Sequence, residues 1–218
     1  MKLNNSLKTA NQHIEKQKED LQERKFAEDF LFMDYKIKAK IIDEQGFDRT
    51  ITRLVHEILE KNKGAKNLKI IGMRTRGEFI ARRIVEKIKQ IENFDVPFGV
   101  LDVTLYRDDF RMRLKQPEVS VTNITFDINE ADVILVDDVL YTGRTVRAAL
   151  DALMDLGRPA SVQLCVLVDR GHREMPITAN YVGKNIPTSI DEEVRVMMRE
   201  IDNEDAVYLV EAPKNKNN

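Results

Sequence analysis

The 218-residue chain is poor in the residues that anchor several common chemistries. It has one cysteine, Cys165, so no internal disulfide can form. That residue lies in the apolar run VQLCVLV, where it reads as a small core side chain without a redox role. The histidines, His13, His56 and His172, are too scattered for a metal cluster, so no zinc site is expected. No apolar run approaches the roughly 18 residues that a membrane helix needs, and the N-terminus lacks a signal-peptide core. Acids and bases nearly cancel, 37 against 35, which excludes a generally basic nucleic-acid binder but leaves room for a local basic patch. These absences point to a soluble cytoplasmic protein, with a length suited to one substantial core.

Residues 1–33 stand apart from the rest. They are polar, contain no Gly or Pro, and carry as many acids as bases. They read as a helical or disordered extension, or as a start-site artefact with Met33 the true start. Residues 212–218 read as a disordered tail. Between them the pattern sharpens. IKAKII is a strand candidate. Phe47, Ile51, Leu54, Val55, Ile58 and Leu59 fall at helical spacing and predict an amphipathic helix over 46–62, with Gly64 as its C-cap. LKIIGM (68–73) reads as a buried strand followed by a helix over 77–93. FGVLDVTLY, a polar stretch from Arg107 to about Pro117, the strand DVILV, the helix TVRAALDALMDLG and the strand SVQLCVLV follow. After Asp169 the pattern is irregular until the strands EVRVMM and AVYLV. Strands alternating with helices predict an α/β fold with a parallel sheet covered on both faces.

In such a sheet, ligands gather at the carboxyl ends of the strands. Two strand ends carry loops suited to phosphate. In IIGMRTRGE, Gly72 and Gly77 have the spacing of half a P-loop, but Glu78 and Phe79 follow where Lys and Ser/Thr are needed, which excludes a nucleoside triphosphatase. Arg74 and Arg76 instead supply guanidinium forks for a polyphosphate; alone, this loop is equally well a solvated turn with two surface arginines. In VILVDDVLYTGRT, the backbone N–H groups of Thr142, Gly143, Arg144 and Thr145 open a helix and form an anion site. Asp137 and Asp138 cannot take phosphate, so they accept hydrogen bonds from hydroxyls or help to hold Mg2+. A ligand that needs both features is a sugar phosphate.

VILVDDVLYTGRT resembles the phosphoribosyl-diphosphate (PRPP) motif of the type I phosphoribosyltransferases. Together with IGMRTRG, LDVTLYRDD, LVDRGHREMPI and YVGKNIPTS, it resembles the pyrimidine operon attenuator/uracil phosphoribosyltransferase (PyrR) family over about residues 34–211. The resemblance implies a type I phosphoribosyltransferase fold over 34–211, with a central parallel sheet flanked by helices and a small hood over the base site. It implies that uracil and PRPP are joined to give UMP and pyrophosphate, with Mg2+ required. PRPP contacts are implied at Arg74, Thr75, Arg76, Arg107, Asp137, Asp138, Val139, Leu140, Tyr141, Thr142, Gly143, Arg144 and Thr145, with Asp137, Asp138 and Arg76 catalytic. The stretch holding Arg107, Arg111, Arg113 and Lys115 matches the family's flexible loop. The base site is expected in a hood from Asp169 to about Gly183, with Arg170 and Val194 as uracil contacts. Mg2+ is expected to arrive with PRPP near Asp137 and Asp138, without a protein ligand cluster.

The same resemblance implies a second role, because many members bind pyrimidine-operon leader mRNA when UMP or UTP is bound. They do so through a basic patch formed across a dimer, so a homodimer or higher homo-oligomer is expected. Arg49, Thr52, Arg53 and His56 share one face of the 46–62 helix, opposite the apolar one. Thr52, Arg53 and His56 match the family there, as Arg173 and Lys184 do further on. Two features depart from the pattern. Thr178 stands where RNA-binding relatives carry arginine, and eight acids against two arginines between Asp191 and Glu211 are expected to repel phosphate. Two readings therefore stand: a uracil phosphoribosyltransferase with RNA regulation retained or vestigial, and an RNA-binding attenuator with vestigial enzyme activity. Another base, such as hypoxanthine, is a further alternative.

Overall fold

Four apolar residues in a row, Val133 to Val136, need a strand covered on both faces. The computed structural model, which describes residues 35–103 and 122–211, provides one. The run lies in β4 (Asp132–Leu140), the middle strand of a five-stranded parallel sheet. The order across the sheet is β3 (Phe98–Leu101), β2 (Leu68–Met73), β4, β5 (Ser161–Asp169) and β6 (Tyr181–Asn185). Alternate residues of β4 enter different cores. Ile134 and Val136 pack with Phe47, Leu54 and Ile58 of α1 (Glu44–Asn62) and with Ile80 and Ile84 of α2 (Arg76–Glu92). Val133 and Leu135 pack with Val146, Ala149 and Leu153 of α3 (Arg144–Leu156) on the opposite side.

Helix α1 begins at Glu44, two residues before the start at 46 expected from sequence, because the Asp43 side chain caps it, accepting from the Gly46 N–H at 2.7 Å. Its C-cap is Lys63 (φ 55°), not Gly64, which follows at φ 102°. The Gly64 N–H reaches back to the Leu59 carbonyl at 2.9 Å, so the glycine serves the position after the cap. Cys165 is fully buried in β5, and burial pushes its thiol up to about 12, which removes it from thiolate chemistry at neutral pH.

A second, antiparallel sheet of three strands runs β1 (Lys36–Ile42), β8 (Ala206–Glu211), β7 (Glu192–Met197), so the hood is built from both ends of the domain. A short helix, α4 (Arg199–Asp202), connects β7 to β8. Val194, Val196 and Val207 join the core of α1 and α2. The expected irregular hood over 169–183 is thus corrected in part: Tyr181–Asn185 is a fifth parallel strand, paired to β5 from Cys165–Tyr181 to Asp169–Asn185. Its five residues include a glycine and end on Lys184 and Asn185, so neither apolar alternation nor an apolar run marks it. The extension at 1–33, the tail at 212–218 and the loop bearing Arg107, Arg111, Arg113 and Lys115 lie outside the described residues. Among the described residues, no helix is long and apolar enough to cross a membrane.

One carboxylate ties the hood together. Glu192 Oε1 accepts from Lys38 Nζ at 2.5 Å, and Oε2 accepts from the Ser189 N–H at 2.7 Å and Ser189 Oγ at 3.1 Å. The Lys38 hydrogen bond first, then the Ser189 backbone bond, hold its carboxyl down at about 2. A folded-state value below the unfolded one stabilises the hood fully above the ordinary carboxylate range, and the contribution is lost as pH falls toward 2. Acid titration followed by hydrogen exchange of β7 amides is expected to show wild-type protection falling between about pH 4.5 and 2. Glu192→Gln is expected to be less protected at pH 7 and flatter across that window.

Candidate active site

The carboxyl ends of β2, β4 and β5 deliver three loops to one end of the parallel sheet. The first leaves β2 at Arg74, whose N–H donates to the Leu101 carbonyl at the end of β3 (3.0 Å); the Arg74–Thr75 peptide is cis. Helix α2 then starts at Arg76, and Gly77 is seated directly on β4: a Cβ there would lie 2.5 Å from the Val136 carbonyl oxygen and 3.0 Å from Asp137 Cα. Only glycine permits that approach. It brings the arginine loop beside the paired aspartates. The two arginines differ in freedom. Arg74 is exposed, with its guanidinium 3.8 Å from Glu78 Oε2. Arg76 donates to both carboxylate oxygens of Asp202, at 3.1 and 3.3 Å, and the Asp202 side chain is only 5% exposed.

The aspartates lie within β4 rather than beyond it. The ladder to β5 continues in regular step from Asp137–Val166 to Leu140–Asp169. Alternation does not hold to the end of the strand: Val139 packs with the cluster of Ile134 and Val136, and Leu140 with that of Val133 and Leu135. Asp137 is buried and Asp138 is half-buried. Each accepts the next backbone N–H: Asp138 N to Asp137 Oδ1 and Val139 N to Asp138 Oδ1, both at 2.9 Å.

Beyond β4, Tyr141 to Gly143 turn the chain into α3. Gly143 adopts φ 89° as N-cap residue, and without a side chain it leaves the helix end uncapped. The first intrahelical bond is from Arg147 N to the Gly143 carbonyl (2.9 Å), so the preceding N–H groups point outward as an anion site. Thr142 Oγ1 lies 3.4 Å from Arg144 N, and the Thr142 carbonyl accepts from Glu174 N and Met175 N, which braces this loop against the one after β5. Arg144 Nε pairs with Glu174 at 2.5 Å, and Thr145 begins the first turn of α3.

In the β5 loop, Arg170 is buried, with its guanidinium carbon 4.0 Å from the centroid of the Tyr141 ring. It donates to Thr188 Oγ1 (3.2 Å) and to the Glu192 carbonyl (2.6 Å), spanning the phosphate loop and the hood. Val139 and Leu140 are strand residues beneath it, and the Val194 side chain faces the core. Arg173 donates to the carbonyls of Tyr141, Gly171 and Ile177 and pairs with Asp169. Its guanidinium is committed to holding the two loops.

A separate groove of about 640 Å³ is lined by Lys40, Asp43, Arg49, Thr50, Arg53 and Lys184, among others. Arg53 reaches across to the Val182 and Gly183 carbonyls, and Lys184 donates to the Ile41 carbonyl at 3.2 Å. Thr52 and His56 lie on the same helix as Arg53; Arg173 is not in this group. Arg49 is exposed and has no ion pair among the described residues. Most acids of the segment from Asp191 to Glu211 are ion-paired. Glu192 pairs with Lys38, Glu193 with Arg195, Glu200 and Asp205 with Arg83, Asp202 with Arg76, Glu204 with Lys40 and Glu211 with Lys36. Seven of its eight acids are thus paired, six of them by residues distant in sequence. Sequence reasoning missed Asp202 and Lys40, since nothing local marks an ion pair formed by partners more than a hundred residues apart.

Residues 39–199 match the phosphoribosyl transferase domain family. The chain is 59% identical over 175 residues to the "Bifunctional protein PyrR" of Alkaliphilus metalliredigens, covering 80% of this chain and 96% of that one. It is 56% identical over 174 residues to the protein of the same name from Clostridioides difficile, covering 80% and 98%. Among solved structures it is similar in fold to the hypoxanthine phosphoribosyltransferase of Trypanosoma cruzi, with TM-score 0.61 and 19% identity over 81% of this chain and 98% of that chain. The Staphylococcus aureus hypoxanthine phosphoribosyltransferase gives TM-score 0.59 and 21% identity over 83% and 94%.

Proposed function

Since the chain belongs to the phosphoribosyl transferase domain family and, within it, to the bifunctional PyrR proteins, we infer that it converts uracil and PRPP to UMP and pyrophosphate and regulates pyrimidine-operon mRNA. The observation that carries the enzymatic half is the meeting of three features at one sheet end: an arginine loop, a carboxylate pair and an open helix N-terminus. The 5′-phosphate of PRPP binds the N–H groups and hydroxyls from Thr142 to Thr145. The ribose hydroxyls donate to Asp138, whose negative charge also favours the positive charge that develops at the sugar as pyrophosphate leaves. Arg74 and Thr75 receive the pyrophosphate end, with Arg76 beside them.

No group of three or more His, Cys, Asp or Glu among the described residues is placed to hold a metal unaided. That donor set suits Mg2+ held mainly by substrate phosphates with help from Asp137 or Asp138. When bound, the ion neutralises charge on the leaving pyrophosphate.

The base enters beneath the hood. β7 is an edge strand, and its Glu192 carbonyl already turns toward Arg170. Backbone groups two residues apart on a strand point the same way, so Val194 offers its N–H and C=O on that edge, a pairing suited to a planar pyrimidine. Val194 thus contributes backbone, and Arg170 holds the strand in place. The test is UMP formation from uracil and PRPP, with hypoxanthine assayed in parallel; turnover of hypoxanthine alone would overturn the choice of base.

For regulation, the basic groove at Lys40, Arg49, Arg53 and Lys184 is the RNA surface. Thr178 lacks the arginine's contact, but the paired acids do not oppose binding. Gel shifts with the leader RNA at several salt concentrations are expected to show Arg49→Ala weakening binding, with the salt slope reduced by about 1. An unchanged slope would remove Arg49 from the surface.

A further inference from the structure

The buried carboxylate of Asp202 joins the hood to the arginine loop, and no step described so far uses it. It is held at both ends. Both oxygens accept from Arg76 Nη2, and Oδ2 also accepts from the Met198 N–H at 2.7 Å, which closes the turn of α4. A carboxylate only 5% exposed needs a charged partner to remain ionised at little cost, and Arg76 is its ion-pair partner. The bond spans 126 residues of sequence. Its other end has few alternatives: Arg76 Nε is buried without a hydrogen-bond partner among the described residues. The direction of the guanidinium is therefore set by Asp202. Arg76 lies between Thr75 and Gly77, the glycine that abuts Asp137, so any swing of Arg76 occurs where the arginine loop meets the carboxylates.

We propose that Asp202 is a positioning residue for phosphoribosyl transfer: it aims Arg76 at the pyrophosphate end of PRPP and couples the hood to that loop. This rests on the phosphoribosyltransferase reading above. The two arginines also differ in their partners. Arg76 is held by the buried carboxylate of Asp202, whereas exposed Arg74 has only a long ion pair, 3.8 Å to Glu78.

Asp202→Asn tests this, because the amide keeps the volume and an acceptor for the Met198 N–H but removes the ion pair. Losing one charge-assisted contact predicts a fall in kcat/KM for PRPP of about ten- to a hundredfold, with KM for uracil unchanged. In an Arg76→Ala background the same substitution is expected to change kcat/KM for PRPP by less than about twofold, since the interaction is already gone. A merely structural role would lower the rate equally in both backgrounds and would not separate the substrates. Should Asn at 202 unfold the hood, as read by near-ultraviolet circular dichroism, Arg76→Lys carries the test. It keeps the charge, loses the fork, and is expected to impair PRPP use alone. Unchanged PRPP kinetics, or equal losses in both backgrounds, overturn the proposal while leaving the enzyme assignment intact. A wild-type protein that forms no UMP overturns both.

Discussion

Asp138→Asn is expected to lower kcat for UMP formation by at least about a hundredfold while leaving the fold intact, on the scale of removing one well-placed electrostatic group from an active site. The asparagine carbonyl still accepts the Val139 N–H that Asp138 Oδ1 holds at 2.9 Å, so the strand end keeps its local bond. What disappears is the negative charge opposite a sugar carbon that turns positive in the transition state. The ground state of PRPP carries no such charge, so KM for PRPP should move much less than kcat. Steady-state kinetics beside a thermal melt make the comparison; undiminished turnover removes Asp138 from the mechanism. Asp137→Asn should behave differently. Asp137 is buried, so there the substitution is expected to cost stability as well as turnover.

Gly77→Ala is expected to reduce kcat/KM for PRPP by about a hundredfold or more, although the methyl group touches no substrate. Its Cβ would meet the Val136 carbonyl oxygen at 2.5 Å and Asp137 Cα at 3.0 Å, and neither backbone atom can turn aside. The start of α2 must lift from β4, separating Arg74, Thr75 and Arg76 from Asp137 and Asp138. Overpacking of this kind costs about 1–3 kcal/mol, which for a domain of this size lowers Tm by about 2–10 °C. The catalytic loss should therefore exceed what partial unfolding explains at the assay temperature. Full activity with normal Tm would mean that the loop and the carboxylates do not act together.

Why some of this was legible in the sequence and some was not follows from the range of the interactions. The strand VILV and the helix built on Phe47, Ile51, Leu54, Val55, Ile58 and Leu59 are written in local periodicity, and burial of those six side chains follows from it. The phosphate loop is equally local: a glycine that can adopt φ 89° and a run of N–H groups at a helix start suffice. β6 escaped because a five-residue edge strand with a glycine has too little pattern to be read. The aspartates were read as following a strand; the ladder continuing to Leu140 places them within it. Of the eight acids between Asp191 and Glu211, six pair with Lys36, Lys38, Lys40, Arg76 and Arg83 from the first half of the chain, which a sum of charge along the sequence does not register.

By itself, then, the sequence determined most of the strands and helices and pointed to a sugar-phosphate site at the start of α3, because periodicity and helix-end chemistry act over a few residues. The tertiary structure alone decided that Gly77 brings the arginine loop against Asp137, that Asp202 pairs with Arg76, and that most acids of the hood are ion-paired. Each of those depends on a contact across some sixty to more than a hundred residues of chain, and only packing of the sheet, helices and hood sets such contacts.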